Sequence, residues 1–278
     1  MANLKKEIKW LLEEKYQGVL SKNFEKDVAR IKKGEPLDYV IGFTEFLGCK
    51  IDLSKKPLIP RPETEFWVGQ AIEDIKINSA KCSSAKILRI LDIFAGSGCI
   101  GIALLKKLSD SRCPTKILCD FVDIEKRCIE QIKINLKING VSACSIVRQL
   151  DVFKVQARQK RSAHFDGSAT ILASQVLRRY DYIFANPPYI AKIKRSRIQK
   201  SVLNFEPNRA LFGGKDGFFY IRKFLSGAKK HLNQGGKIYM EFDPVQKQRI
   251  GDMIKKYEYK NYKFFKDQYG KWRFVMIG

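Results

Sequence analysis

The chain has 278 residues, of which 45% are hydrophobic, and a formal net charge of +24. That length suits one large domain, or one domain with an appendage, around a substantial core. The charge favours an anionic partner such as nucleic acid or a ribonucleoprotein, although a Lys-rich surface also arises from codon bias. No uncharged apolar run approaches membrane-spanning length, and Lys and Glu interrupt the first twenty residues too often for a signal peptide.

Cysteine and histidine usage indicates a reducing compartment and no metal centre. The seven cysteines are odd in number, form no Cys-x-x-Cys pair, and several lie inside apolar runs. That pattern is typical of reduced core thiols in the cytosol rather than of a disulfide framework, so we expect a cytoplasmic protein. The two histidines, His164 and His231, have no ligand partners nearby in the sequence, and we predict no metal site.

The N-terminal part of the chain predicts a short helical appendage. Apolar residues recur at helical spacing from Leu4 to Val19 and again from Phe24 to Ile31. Gly34-Glu35-Pro36 ends the second pattern. We therefore assign residues 1–35 to a short N-terminal helical region packed on the main domain.

We predict a linker at residues 36–65. An apolar alternation from Phe46 to Leu53 fits a hairpin, and Ile59-Pro60-Arg61-Pro62-Glu63-Thr64-Glu65 follows it. The two prolines make this last segment extended and stiff, and Thr64 fits the N-cap of the amphipathic helix that comes next. On local grounds the segment is either a connector or part of a site wall.

From residue 66 to residue 278, strands alternate with helices, which predicts a doubly wound, mostly parallel α/β sheet. We expect strands at 87–94, 116–123, 145–153, 180–185 and 237–242, helices at 99–108, 125–138, within 214–232 and at 245–256, and a closing hairpin from 262–266 and 272–277. Gly235-Gly236 is expected to stop the third helix. The basic stretch 154–179 is either a disordered insert or a partner-binding loop.

A Gly-rich turn, Asp92-Ile93-Phe94-Ala95-Gly96-Ser97-Gly98, lies between the first predicted strand and helix. Glycines there let the backbone approach a ligand closely, and the helix N-terminus offers free N–H groups. The turn lacks both the Gly-x-Gly-x-x-Gly of dinucleotide sites and the Gly-Lys-Ser/Thr of phosphate loops. A pyrophosphate is therefore not the expected ligand.

Acidic residues end three consecutive predicted strands. Asp92 ends the first, Asp123 lies where an acid accepts hydrogen bonds from ribose hydroxyls, and Asp151 could accept from an adenine amino group. Val152 and Phe153 would flank the adenine ring. Three acids beside a Gly turn fit an adenosyl ligand with an amino-acid tail, which is S-adenosylmethionine.

The motif Asn186-Pro187-Pro188-Tyr189 follows the apolar strand at 180–185. Neither proline has an N–H to donate, so the strand should stop at Asn186, at the sheet edge where open α/β sheets bind ligands. A side-chain amide oxygen and a free backbone carbonyl form an acceptor pair for an NH₂ group, and Tyr189 offers a flat face. The site suits either an exocyclic base amine or a carboxamide.

These motifs resemble those of class I S-adenosylmethionine-dependent methyltransferases, and within them the release factor glutamine methyltransferases (the HemK/PrmC family). The resemblance begins at about Arg30. It is carried by Gly34 to Gly42, Ile59 to Glu65, Asp92 to Gly98 with Asp123 and Asp151, Asn186 to Tyr189, and Phe205-Glu206-Pro207 with Ala210-Leu211. Asn-Pro-Pro-Tyr alone is shared with adenine and guanine methyltransferases, whereas the combination is specific. Related ribosomal-protein glutamine methyltransferases usually lack Glu-Thr-Glu after the Pro-Arg.

The resemblance implies a Rossmann-like, mostly parallel seven-stranded sheet with a C-terminal antiparallel hairpin. It implies methyl transfer from S-adenosylmethionine to the side-chain amide nitrogen (N5) of glutamine in the Gly-Gly-Gln motif of peptide chain release factors. The implied cofactor-binding residues are Asp92, Phe94, Ala95, Gly96, Ser97, Gly98, Asp123, Ile124, Asp151, Val152, Phe153 and Asn186. The implied catalytic and substrate-binding residues are Asn186, Pro187, Pro188 and Tyr189, with Arg61 and Glu63 lining the substrate side.

Four features depart from the family pattern. The N-terminal helical region is about half the expected length, and the insert at 154–179 is unusually long. Phe94 replaces a small residue or Gly, as in nucleic-acid amine methyltransferases, and Asp243 stands where the family prefers Gly.

Two other functions stay open at this point. The first is an RNA or DNA exocyclic-amine methyltransferase, which Phe94, the net charge and the basic cluster Lys192-Lys194-Arg195-Arg197-Lys200 favour. The second is an inactive scaffold with the methyltransferase fold. Intact Asp92, Gly96, Gly98 and Asn186 argue against the scaffold.

Overall fold

The computed structural model describes residues 2–79, 87–109, 116–151 and 178–278. Val152 and Phe153, which we predict to flank adenine, lie outside the described residues, as do residues 154–177 of the basic insert. None of the helices in the described ranges is long and apolar enough to cross a membrane.

Three helices form the N-terminal region: α1 (Ala2–Glu14), α2 (Lys22–Lys32) and α3 (Leu37–Ile41). The two helices that the apolar spacing predicts are confirmed, and α3 lies within the predicted linker. Ser21 caps α2 by accepting a hydrogen bond from the Phe24 backbone N–H at 3.2 Å. The helices pack together through the buried side chains of Leu11, Phe24, Ile31 and Val40.

The linker contains an antiparallel hairpin of β1 (Phe43–Phe46) and β2 (Cys49–Asp52). The predicted hairpin is confirmed, but its first strand ends at Phe46 rather than following it. Helix α4 (Pro62–Ser79) follows. The prediction that Thr64 caps this helix is wrong, because the helix begins two residues earlier at Pro62. Proline is tolerated in the first turn, where its missing N–H would have no intrahelical partner. The Thr64 hydroxyl instead donates to Glu241, far away in the sequence.

Seven strands form the main sheet of the described chain, in the order β5-β4-β3-β6-β7-β9-β8. The four pairings among the first five strands in this order are parallel, and the last two strands pair antiparallel, which confirms the predicted fold class. The elements in chain order are β3 (Leu88–Ile93), α5 (Cys99–Ser109), β4 (Ile117–Asp123), α6 (Lys126–Ile138), β5 (Ser145–Gln149), β6 (Tyr180–Ala185), α7 (Lys200–Phe205), α8 (Asn208–Leu211), α9 (Phe219–Ala228), β7 (Leu232–Glu241), α10 (Lys247–Lys256), β8 (Tyr262–Lys266) and β9 (Trp272–Ile277).

Two boundary predictions are wrong. Strand β5 ends at Gln149, so Asp151 lies two residues beyond the strand rather than at its end. Strand β7 begins at Leu232, so Gly235 and Gly236 lie inside a strand and do not stop a helix. A Cβ at Gly236 would lie 3.0–3.1 Å from three backbone carbonyl oxygens, so glycine permits the irregular pairing with β6 there.

The sheet is covered on both faces, which fixes the central strand β6. All six residues of β6 are buried. On one face Phe184 stacks between Trp67 of α4 and Tyr239 of β7, with ring centroids 6.1 and 5.1 Å away. On the other face Ile183 packs with a second buried cluster that includes residues of α9 and α10. The residues that follow β6 are therefore held at the centre of the sheet edge.

Candidate active site

The carboxyl ends of β3, β4 and β6 meet at a cavity of about 280 Å³. Parallel strands end at the same sheet edge, so the motifs that follow them come together there. Ten of the predicted site residues line this cavity: Arg61, Phe94, Ala95, Gly96, Ser97, Asp123, Ile124, Asp151, Asn186 and Pro188. Glu63, Asp92, Gly98, Pro187 and Tyr189 do not line it.

The Gly-rich turn is tight, and Phe94 is a strained member of it. Phe94 has a φ of 60°, in the left-handed region that usually favours glycine. Its ring makes edge contacts with Tyr220 and Phe224 of α9, at centroid distances of 6.0 and 6.2 Å. Phe94 and Tyr220 both line the cavity, so these contacts place an aromatic wall beside it.

Asp92 lies beneath the turn and is 1% exposed. Its Oδ2 accepts a hydrogen bond from the Gly101 backbone N–H at 2.9 Å, and its Oδ1 has no partner among the described residues. Burial, together with the nearby Asp123 carboxylate, raises the pKa of Asp92 to about 8. An unpaired buried acceptor of this kind favours a ligand that donates a hydrogen bond or carries positive charge.

Asp123 links the end of β4 to the turn. One of its oxygens accepts from the Gly96 N–H at 2.8 Å, and the other accepts from the Glu125 N–H at 2.9 Å. Burial also raises the pKa of this carboxyl above its ordinary value. Each oxygen keeps a second lone pair, so the side chain can still accept from ligand hydroxyls.

Strand β6 ends at Ala185, which confirms the prediction that the prolines stop it. The amide Nδ2 of Asn186 donates to the Thr64 hydroxyl oxygen at 3.4 Å. Neither the Asn186 side-chain oxygen nor the Pro187 carbonyl accepts a hydrogen bond from the residues that the structure describes. Two acceptor groups therefore stay unpaired directly after the central strand.

Tyr189 faces a buried carboxylate. Its hydroxyl donates to Oε1 of Glu241 at 3.0 Å, and Glu241 is 1% exposed. Burial, with the Glu241 charge, raises the pKa of Tyr189 well above its ordinary value. Glu241 also accepts from the Thr64 hydroxyl at 2.6 Å and from the Trp67 indole N–H at 2.7 Å, both on Oε2.

The Phe-Glu-Pro motif supplies the counter-charge for Arg61. Glu206 Oε1 accepts from Arg61 Nη2 at 2.5 Å, and Glu206 Oε2 accepts from the Ile59 backbone N–H at 3.2 Å. Arg61 is thereby fixed at the cavity wall. The Glu63 side chain makes no hydrogen bond or ion pair with the described residues.

Several residues of this region were not predicted from the sequence. Gly213 and Gly217 pack so closely on the Asn-Pro-Pro-Tyr loop that a Cβ on either would sit against the carbonyl oxygens of Pro188 and Tyr189. Gln246 donates to the Tyr189 carbonyl at 3.0 Å. In the sequence, the three glycines among residues 213–217 are the feature that could have indicated this close packing. The cavity is also lined by residues outside the predicted set, and those with a charged or hydroxyl-bearing aromatic side chain include Arg127, Arg209, Tyr220 and Lys223.

Comparison with known proteins identifies the family. No protein-family model matches the chain. It is 31% identical over 244 residues to the release factor glutamine methyltransferase of Clostridium botulinum, which covers 88% of this chain and 76% of the relative. It is 29% identical over 249 residues to that of Flavobacterium psychrophilum, which covers 89% and 77%. The chain belongs to the release factor glutamine methyltransferase family.

Solved structures support the same fold. The N-terminal domain of human METTL16 in complex with SAH aligns with a TM-score of 0.55 at 15% identity, over 99% of this chain and 92% of that one. The human methyltransferase 10 domain containing protein aligns with a TM-score of 0.52 at 15% identity, over 83% and 89%. At these identities the likeness concerns the fold alone. The family resemblance and the fold that it implies are therefore both confirmed.

Proposed function

We infer that this protein transfers a methyl group from S-adenosylmethionine to the side-chain amide nitrogen of glutamine in the Gly-Gly-Gln motif of peptide chain release factors. Membership of the release factor glutamine methyltransferase family supports this activity. The main structural support for this activity is the pair of unpaired hydrogen-bond acceptors at Asn186 and Pro187, which lie beside the cavity. Asp92, with its unpaired oxygen, lies beneath the same cavity. The reaction is protein methylation in the service of translation termination.

The residues of the cavity fit an adenosyl cofactor. Asp123 would accept from the ribose hydroxyls and Asp151 from the adenine amino group, with Ile124 against the ring. The turn from Phe94 to Gly98 and the unpaired oxygen of Asp92 would hold the amino-acid tail. When bound, S-adenosylmethionine supplies an electrophilic methyl group on a sulfonium. Among the described residues no group of His, Cys, Asp or Glu side chains is arranged to hold a metal.

Positioning is the chemical task left to the protein. A carboxamide nitrogen is a poor nucleophile because its lone pair is delocalised. The Asn186 side-chain oxygen and the Pro187 carbonyl would accept hydrogen bonds from the two N–H groups of the substrate amide and so orient its nitrogen. The Pro188 turn and the Tyr189 ring would lie beside the plane of that amide. Orientation of this kind contributes up to several kcal/mol to lowering a barrier. Arg61 and Glu63 are proposed to line the substrate side.

Mass spectrometry tests this function directly. The full chain is incubated with a purified release factor and S-adenosylmethionine, and the Gly-Gly-Gln peptide is sequenced. We expect one methyl group on the glutamine side chain, and loss of at least about 100-fold in turnover for Asn186→Ala with little change in cofactor affinity. Methylation of RNA or DNA oligomers with an unmodified release factor would refute the function.

We also propose that the basic surface contacts RNA. The segment Lys192–Arg197 forms a 3₁₀ helix that begins three residues after Tyr189. Lys194 pairs with Asp243 at 3.2 Å, whereas Lys192, Arg197 and the following Lys200 are exposed. Counterion release makes such binding fall steeply with salt. Replacing these three exposed residues with Gln should weaken RNA binding and flatten its salt dependence, and unchanged binding would contradict the contact.

The proposal also includes a cellular location and a division of the chain into domains. A cytoplasmic location is supported by free cysteines in the described chain, four of which are buried (Cys49, Cys99, Cys119 and Cys128). We also propose a division into a helical region at 1–35, a linker at 36–65 and a methyltransferase domain at 66–278. The separate cluster around Leu11 and Phe24 supports a distinct helical part, and because that cluster includes Val40, its packing extends past residue 35 into the linker. Limited proteolysis tests the division, because cleavage should fall first between these parts.

A further inference from the structure

A buried carboxylate lies behind the Asn186 site. Glu241, the last residue of β7, accepts hydrogen bonds from Thr64 and Trp67 on Oε2 and from Tyr189 on Oε1, at 2.6, 2.7 and 3.0 Å. Thr64 is 2% exposed, and Trp67 is fully buried. Three donors from two distant segments therefore converge on one acceptor group that water does not reach.

Burial raises the pKa of Glu241 above its ordinary value, and the hydrogen bonds from Thr64, Trp67 and Tyr189 oppose that shift. While Glu241 is ionised, the chemistry of these groups fixes the direction of every hydrogen bond. An indole N–H only donates, and a carboxylate only accepts. The Thr64 hydroxyl has a single hydrogen, and its 2.6 Å bond to the carboxylate commits that hydrogen to Glu241. The Thr64 oxygen is then left with lone pairs alone, so it can only accept from its other neighbour.

That other neighbour is the Asn186 amide. Its NH₂ group donates to the Thr64 oxygen at 3.4 Å. If the amide were rotated by a half-turn, the Asn186 oxygen would face an oxygen with no hydrogen to give, which is repulsive. The relay from Glu241 through Thr64 thus keeps the Asn186 oxygen as the free end of the amide, beside the cavity that Asn186 lines.

We propose that Thr64 and Glu241 are positioning residues that set the polarity of the Asn186 amide, so that its oxygen faces the substrate NH₂ group. This inference rests on the proposed function and deepens it. With the relay cut, the Asn186 NH₂ group could face the substrate NH₂ group, and two donors would meet. The relay also gives Tyr189 a fixed place, because its hydroxyl is held by the other oxygen of the same carboxylate.

The test uses variants that remove or keep the hydroxyl. Thr64→Val has nearly the shape of threonine but no hydroxyl, and Thr64→Ser keeps it. We expect Thr64→Val to lower kcat about 10- to 100-fold on a release factor substrate, with cofactor Kd changed less than about threefold. Thr64→Ser should recover most of the lost turnover. The thermal midpoint of each variant is recorded, so that misfolding is separated from loss of positioning.

A double-mutant cycle then asks whether Thr64 acts through Asn186. Thr64→Val added to Asn186→Ala should lower kcat by less than about twofold beyond Asn186→Ala alone, because the amide that it orients is already absent. Glu241→Gln extends the cycle without removing any buried volume. Its amide oxygen can still accept from Thr64 and Trp67, so turnover should fall less than in Thr64→Val.

The outcomes separate the two levels of the argument. An inactive wild-type protein would refute the proposed function itself. With an active wild type, the relay alone is refuted if Thr64→Val keeps kcat within about threefold of wild type, if its kcat and cofactor affinity fall by the same factor, or if its effect multiplies fully with that of Asn186→Ala.

Discussion

The ion pair between Arg61 and Glu206 holds the linker over the cavity, and its two ends differ sharply in exposure. The Glu206 side chain is 1% exposed, whereas that of Arg61 is 33% exposed. Arg61 Nη2 and the Ile59 backbone N–H both donate to the carboxylate. Removing the Arg61 guanidinium should therefore lower the free energy of unfolding much more than removing the Glu206 charge.

The magnitudes follow from what each variant leaves behind. Arg61→Met leaves a carboxylate that is buried and paired only with the Ile59 N–H, which costs about 3 kcal/mol of unfolding free energy. Glu206→Gln keeps an amide oxygen for one of the two donors and leaves a guanidinium that already reaches water, which costs about 1 kcal/mol. The corresponding falls in Tm are roughly 6–12 °C and 2–4 °C.

Thermal and urea unfolding of the two variants and of their combination measure this asymmetry. The double variant Arg61→Met with Glu206→Gln should be more stable than Arg61→Met alone, because the isolated charge is gone. Arg249→Met serves as the control, since its ion pair with Asp216 is more than a third exposed on both sides and is worth less than about 1 kcal/mol. Equal losses for Arg61→Met and Glu206→Gln, or simple additivity, would refute the reasoning.

Three further predictions concern the loop, the turn and the buried acid. Gly217→Ala should destabilise the protein by about 3 kcal/mol or more and lower activity, because φ is +82° and the new Cβ would meet the Tyr189 carbonyl. The control is Gly270→Ala, where φ is similar but the space around the new Cβ is open; it should lower the free energy of unfolding by only about 1 kcal/mol in the same unfolding assay. Asn135→Ala should lower the free energy of unfolding by about 3 kcal/mol and weaken cofactor binding in calorimetry, because the buried Asn135 amide makes hydrogen bonds to the backbones of Ser97 and Asp52. Asn139 is more exposed, so Asn139→Ala should lower the free energy of unfolding by less than about 1 kcal/mol. The pKa of Asp92 is raised to about 8 in the folded chain, so folding binds a proton and the contribution of Asp92 to the free energy of unfolding falls as pH rises from about 4 to 8. The Tm of Asp92→Asn relative to wild type should therefore increase over that pH range, and a constant difference in Tm would contradict the raised pKa.

Local chemistry explains why most elements could be predicted. The run at 180–185 is apolar and ends at two prolines, and the strand in the structure has those bounds. The two strands of the closing hairpin, at 262–266 and 272–277, likewise have the predicted bounds. The errors at Thr64 and at Gly235 share one cause. A threonine before a helix usually caps it, and a glycine pair usually ends a helix. Here distant partners decide both, because Glu241 binds the threonine and strand β6 pairs with the strand that contains the glycines.

The sequence alone determined the order of strands and helices, the Gly-rich turn, and the proline stop after β6, because each depends on periodicity or on the backbone limits of neighbouring residues. Only the tertiary structure decided which side chains complete the site. Thr64 and Glu241 are 177 residues apart, and Arg61 and Glu206 are 145 residues apart. Such pairs leave no periodic signal, since a buried carboxylate is matched to its donors by the packing of α4 against the sheet and not by anything near it in the chain.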